Sequence, residues 1–190
     1  MPRLMRAVCN DDGSALVEFA IVLPLLVVFL VGIYDFSGAF NEKQKIAHAA
    51  QEGAVFAGAQ PMMDIYTADS NPASLQPVVA VVFNSLAAGN VLAQANQGSC
   101  KPASATVTNS ALKWTYTISG CSTVSGQDLT IAIDRGVLIN AGPPATLGTS
   151  VEVSYPYNWR FNSAIQLLFP GAGYSATTVL DDSALVHNQT

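Results

Sequence analysis

Cys9, Cys100 and Cys121, His48 and His187, the adjacent pair Asp181 and Asp182, and a carboxylate at Glu18 are the side chains from which chemistry could be built. The histidines stand 139 positions apart, and neither belongs to a cluster with metal-ligand spacing. No Walker loop, HExxH, CxxC or GxSxG occurs, the patterns that mark phosphate binding, zinc hydrolysis, thiol redox and acyl transfer. Two neighbouring acids more readily make a solvated turn than the oxygen cage calcium requires. Asn188-Gln189-Thr190 has the form of a glycosylation acceptor but sits at the extreme tail, where it carries no weight. Trp159, Phe161 and Phe169 suit either a partner surface or aromatic core packing. The chain reads as a protein that is not an enzyme, with no cofactor and no metal.

Glu18 remains, and it points to the element that must hold it. Phe19 to Tyr34 reads FAIVLPLLVVFLVGIY, sixteen uncharged residues between Glu18 and Asp35. A spanning helix needs about 20 mostly apolar residues, and a secretory h-region about 7–15, so length alone leaves both open. Ser37-Gly38-Ala39 offers a small-x-small site at which a signal peptide covering residues 1–39 could be cut. Charged residues are only 11% of the chain and net charge is 8 − 13 = −5. That composition excludes a disordered chain and the basic face of a general nucleic-acid binder. The protein is therefore either singly anchored or exported.

Orientation follows from the cysteines rather than the charges. Arg3 and Arg6 precede the run and Lys43 and Lys45 follow it, a near tie under the positive-inside rule. Cys100 and Cys121 lie beyond the run with twenty residues between them. A bonded pair there suits an oxidising compartment, although two unrelated thiols give the same spacing. The bulk of the chain is expected outside the cytoplasm, with a cytoplasmic N-terminus.

The string Gly13-Ser14-Ala15-Leu16-Val17-Glu18-Phe19 follows a short leader and opens the apolar run, with Pro24 inside it. Asp35-Phe36 and Ala49-Ala50-Gln51-Glu52-Gly53-Ala54 continue the pattern. Together these resemble the TadE-like minor pilins, or pseudopilins, of the tight-adherence (Tad/Flp) type IV pilus system. The resemblance covers residues 13–60 well and the rest only in general character. In one departure, Gln51 and Val55 stand where the family usually carries Arg, so a charge pairing made there by relatives is not carried over.

The resemblance implies cleavage between Gly13 and Ser14 by a prepilin peptidase, itself a membrane aspartic protease. Glycine before the cut gives an unhindered backbone. The mature chain would keep six basic and eleven acidic residues, since the leader holds two of each. Its new ammonium at Ser14 would be a counter-charge for Glu18, because a carboxylate in an apolar setting is tolerable only when paired. The implied role is a structural subunit in pilus biogenesis, adhesion and secretion-system assembly. Its implied partners are other Tad pilins and inner-membrane platform proteins. It would be a single-pass protein of the bacterial inner membrane, its C-terminal domain periplasmic or extracellular, and incorporation in the pilus is compatible with this.

Residues 14–34 are then the transmembrane helix, 35–60 its extracytoplasmic continuation and 61–190 an α+β globular domain. From Ser14 to Gln60 one helix would measure about 70 Å, with Pro24 removing an internal hydrogen bond. Ala49, Gly53 and Ala57 form a small-residue stripe at i, i+4 spacing. Such a stripe lets another helix approach or packs on the protein's own sheet. Pro77 opens a second helix expected to reach about Ala95. After Ala105 the period becomes two. Leu112 to Ile118, Leu129 to Ile133 and Val151 to Tyr155 read as half-buried strands. Trp159 to Phe169 reads as a short helix or flap, and Thr177 to Val186 as a closing strand. The expected architecture is a long N-terminal helix packed on an antiparallel sheet, α+β and pilin-like.

Overall fold

A computed structural model describes residues 11–65, 71–122, 126–159, 171 and 177–189. The leader before Asp11, and the expected flap beyond Trp159, lie outside the described residues. Helix α1 runs unbroken over 48 residues, Asp11–Gly58, with Pro24 inside it. Its residues through Ser37 belong to one compact unit, and from Gly38 onward it belongs to a second that carries the sheet. The boundary between them therefore falls within the helix.

Helix α1 stops where its sequence turns against it. The last hydrogen bonds shorten to a tighter turn, Ala59 N to Phe56 O and Gln60 N to Ala57 O, and Pro61 cannot continue the ladder. Helix α2 spans Gln76–Ala88 with Pro77 in its first turn, where a missing N–H costs nothing. It ends earlier than the apolar composition up to Ala95 suggests. Asn90 takes a left-handed φ of 54°, its N–H bonds Ala87 O, and the Val91 N–H reaches back to Leu86 O. That is a Schellman closure, with Val91 and Leu86 both buried as its apolar contact. A helix-compatible composition is overruled by a local cap.

Five strands follow: β1 Thr106–Ser110, β2 Lys113–Ile118, β3 Leu129–Asn140, β4 Thr146–Asn158 and β5 Thr177–His187. They pair in sequence order, every pair antiparallel. Alternation places Trp114, Tyr116 and Ile118 of β2, Ile131 and Ile133 of β3, and Val151, Val153 and Tyr155 of β4 in the core. Leu112 leaves the expected strand for the turn between β1 and β2, beside Ala111 at φ 56°. Strand β1 is mostly exposed, so no apolar alternation marks it. Strand β3 runs past its apolar stretch through a register shift between Asp134 and Val137, a bulge that turns Arg135 inward.

The second half of α1 and all of α2 cover the inner face of this sheet. A Cβ built on Gly38 would fall 2.9 Å from the Tyr157 hydroxyl, and one on Gly58 would fall 3.0 Å from the His187 carbonyl. His187 pairs with Gly148 at the opposite end of β4 from Tyr157. The helix and β4 are thus antiparallel neighbours.

The closest approach is at Gly53, where a Cβ would lie 2.4 Å from Val82 Cγ2 and 3.3 Å from Val151 Cγ1. Alanine favours a helix interior over glycine by about 1 kcal/mol, but overpacking a filled core costs about 1–3 kcal/mol. Val82 is fully buried and branched, with no room to yield. We expect Gly53→Ala to lower the unfolding free energy by about 1–2 kcal/mol. The same change on a Val82→Ala background should cost much less. Urea unfolding of the two single variants and the double variant in detergent measures this directly, and additive losses would contradict the proposed contact.

Candidate functional site

Residues Gly13 and Ser14 lie in the first turns of α1, and Glu18 follows one turn later on the same helix, exposed. From Ala15 onward the helix is long and apolar enough to cross a membrane, and none of its most apolar eighteen-residue stretch is buried. Leu16, Phe19, Ile21, Leu25, Phe29 and Leu30 are each more than half exposed. At 100° per residue these positions, together with Val17 at 61% exposure, surround the helix, so no single side is available for a core. A helix apolar on every face needs an apolar solvent.

The second half of α1 is one-sided. Ala49, Ala50, Ala54 and Ala57 are fully buried, and Gly53 is buried with them. The stripe of Ala49, Gly53 and Ala57 is thus occupied by the protein's own α2 and sheet, through Val82 and Val151. His48 lies on the outer side with its Nδ1 3.5 Å from Glu52 Oε1. Asp181 and Asp182 sit in β5 rather than in a turn, and Asp182 Oδ1 accepts the Ser183 N–H. Carboxylates on an edge strand oppose pairing with a further strand. Trp159 donates from its ring nitrogen to Thr178 Oγ1 at 3.0 Å and meets Tyr157 edge to face. Among the described residues no cluster of three His, Cys, Asp or Glu side chains could hold a metal.

Cys100 and Cys121 form a disulfide with Cα atoms 4.7 Å apart, both fully buried. The bond ties the segment after α2 to the end of β2. Beside it the Tyr155 hydroxyl donates to Cys121 O at 3.1 Å, and burial pushes that phenol above its ordinary pKa.

Sequence reasoning missed Arg135. It is fully buried, and its Nη2 donates to Gln60 O at 2.9 Å, supplying a cation at the carbonyl end of α1, which carries no basic residue in its last turn. The Gln189 N–H satisfies Gly58 O at the same end. Burial lowers the Arg135 pKa, while the nearby Asp64 carboxylate opposes that shift. Burial by itself would raise the Asp64 carboxyl, but the Ser74 N–H at 2.7 Å, the Ser74 hydroxyl at 2.8 Å and the field of Arg135 together hold it below the usual value. A lone arginine followed by glycine inside IAIDRGVLI was the available signal.

Residues 13–55 match the family of TadE-like proteins. The matched stretch begins at the Gly13–Ser14 pair and ends within the buried half of α1, and it points to a Tad pilus-associated protein. Neither the curated proteins nor the solved structures contain a match to the chain.

Two outcomes follow from the buried links. Replacing both partners in Cys100→Ala/Cys121→Ala should remove about 3 kcal/mol of stability, the loop-closure contribution for a ring of this size. Reductant acting on the unaltered protein should do the same, and an unchanged urea midpoint in either case would count against it. Asp64 has a depressed folded-state pKa. Its contribution is therefore complete above the unfolded carboxylate value of about 4 and disappears as pH falls through the folded value. The stability gap between the parent protein and Asp64→Asn should narrow on acidification, and a gap that is constant from neutral to acid pH would refute the assignment.

Proposed function

We propose that this protein is a minor pilin or pseudopilin of a Tad/Flp-type pilus system, matured by a prepilin peptidase and held in the inner membrane by the first half of α1. The observation that carries this reading is the TadE-like match over a helix whose first half is apolar on every face. In the proposed maturation the peptidase hydrolyses the Gly13–Ser14 peptide bond with one water, leaving a carboxylate on the leader and an ammonium on Ser14. Four residues separate that ammonium from Glu18, about one helical turn. It can neutralise the carboxylate in its own helix or in a neighbouring subunit, and the neighbouring case sets an axial register. Partners are other Tad pilins and the platform proteins of the inner membrane.

The disulfide-bonded sheet unit supports a location beyond the cytoplasm, because such bonds persist in oxidising compartments. Ala39, the residue a signal peptidase would need to leave behind it, lies inside α1 and is buried. The role in this reading is structural rather than catalytic.

The intact mass of the mature protein tests the processing step. A chain beginning at Ser14 agrees with the proposal, and one beginning at Phe40 replaces it with a secreted binding or surface protein. Glu18→Ala should be processed as before yet lose co-purification with pilus-assembly proteins from membranes. Unchanged co-purification would remove the assembly role of the carboxylate.

A further inference from the structure

One end of the sheet unit carries no charge where α1 enters it. The Tyr157 hydroxyl lies against Gly38 and the Val151 side chain against Gly53. Fifteen residues of helix separate the two glycines and six of strand their partners, about 22 Å and about 20 Å. A level along α1 is therefore a level along β4. Around the Gly38 level three passages are uncharged: residues 36–41 of α1, 153–159 at the end of β4 and 177–180 of β5. Asp128 stays behind. The pairing of β3 with β4 ends in this direction at Thr130 with Ser154, and β4 continues four residues to Asn158, about 13 Å further. Phe40 is 65% exposed at this end, and Val179, paired with Pro156, is 51% exposed. Trp159 is half-buried, held by Thr178 and by the ring of Tyr157. Gly38, Phe40, Trp159 and Val179 all belong to the compact unit that carries the sheet.

We propose that this end, through Trp159, Val179 and Phe40, seats in the headgroup layer of the bilayer that α1 crosses. The inference rests on the reading that the first half of α1 is a membrane anchor, and it adds a second contact with the lipid. The apolar run ends at Tyr34, so Gly38 stands four residues, about 6 Å, beyond the hydrocarbon. Headgroups occupy about 5–7 Å on each side of a core about 30 Å thick. Gly38 and the neighbouring Tyr157 thus reach the outer part of that layer. Trp159, two residues further along the strand, reaches about 7 Å deeper. Tryptophan concentrates at this depth because its ring meets hydrocarbon while its N–H stays among hydrogen-bonding groups. The absence of charge lets the end enter without stripping water from an ion. Phe40 lies about 200° around the helix from Gly38, so it faces away from β4. The sheet unit is then braced on both sides of its anchor.

The chain holds two tryptophans, and the other one is an internal control. Trp114 is fully buried and pairs through Ile133 with the level of Val151, eight residues or about 26 Å from Trp159 along the strand. The full chain is reconstituted in phosphatidylcholine vesicles containing lipid spin-labelled either just below the glycerol or at the methyl end of the acyl chain. Fluorescence missing from Trp159→Phe is assigned to Trp159. That component should be quenched several-fold more by the shallow label than by the deep one. Trp114, read in Trp159→Phe, should respond to neither. Quenching of Trp159 by neither label overturns the inference, and aqueous iodide then shows whether water or the chain's own residues surround the ring. Stronger quenching by the deep label also overturns it, because the ring then lies in hydrocarbon. Alkaline extraction of the same vesicles separates the two levels. A chain that stays with the lipid while Trp159 goes unquenched rejects the seating alone, whereas one released by alkali rejects the anchored reading as well.

Discussion

The closeness with which α1 lies against the sheet depends on side chains that are barely there. Ala49, Gly53 and Ala57 present almost no volume, so the space between helix and sheet is filled from the other side. Val151, Val153, Ile131 and Ile133 reach up from the strands, and Val82 and Phe83 reach across from α2. Branched residues on a pleated surface interlock with a nearly smooth helix face, and the result is a dense core. The sheet is therefore fastened to the second half of α1 along about five helical turns.

What the helix does changes along its length. Before Tyr34 it is apolar in every direction, and after Lys43 its buried side is apolar while its exposed side carries Gln44, His48, Gln51 and Glu52 together with Val55 and Phe56. No break in hydrogen bonding separates the two regimes. The match to TadE-like proteins, over residues 13–55, covers residues of both regimes.

The far end of α1 is closed by residues remote in sequence. Arg135 arrives from a bulge in β3 and Gln189 from the residues after β5, and both take carbonyls that the helix leaves over. Asp64, held by Ser74, supplies the balancing charge. The disulfide secures the opposite flank, where α2 gives way to the strands. Arg135 and Ser74 are buried at these closures, and among the described residues Asp35 and Thr149 are buried as well.

Much of this was legible in the residues. The long helix followed from an apolar run continued by helix formers without proline, and the inward rows of β2, β3 and β4 followed from alternation. Those signals are local, since each residue type reports its own surroundings. Strand β1 gave no signal because only Val107 in it is partly buried, and Asp181-Asp182 resembled a turn because an edge strand tolerates acids. The small-residue stripe allowed two partners, and only the assembled fold gave it to α2 and β4. Arg135 at the end of α1 was equally undecidable, for its partner Gln60 lies 75 positions away. Chain order alone determined which stretch of the chain is long and apolar enough to cross a membrane. Which buried surfaces face each other was decided by tertiary packing, because complementarity belongs to pairs of surfaces and is written in neither one.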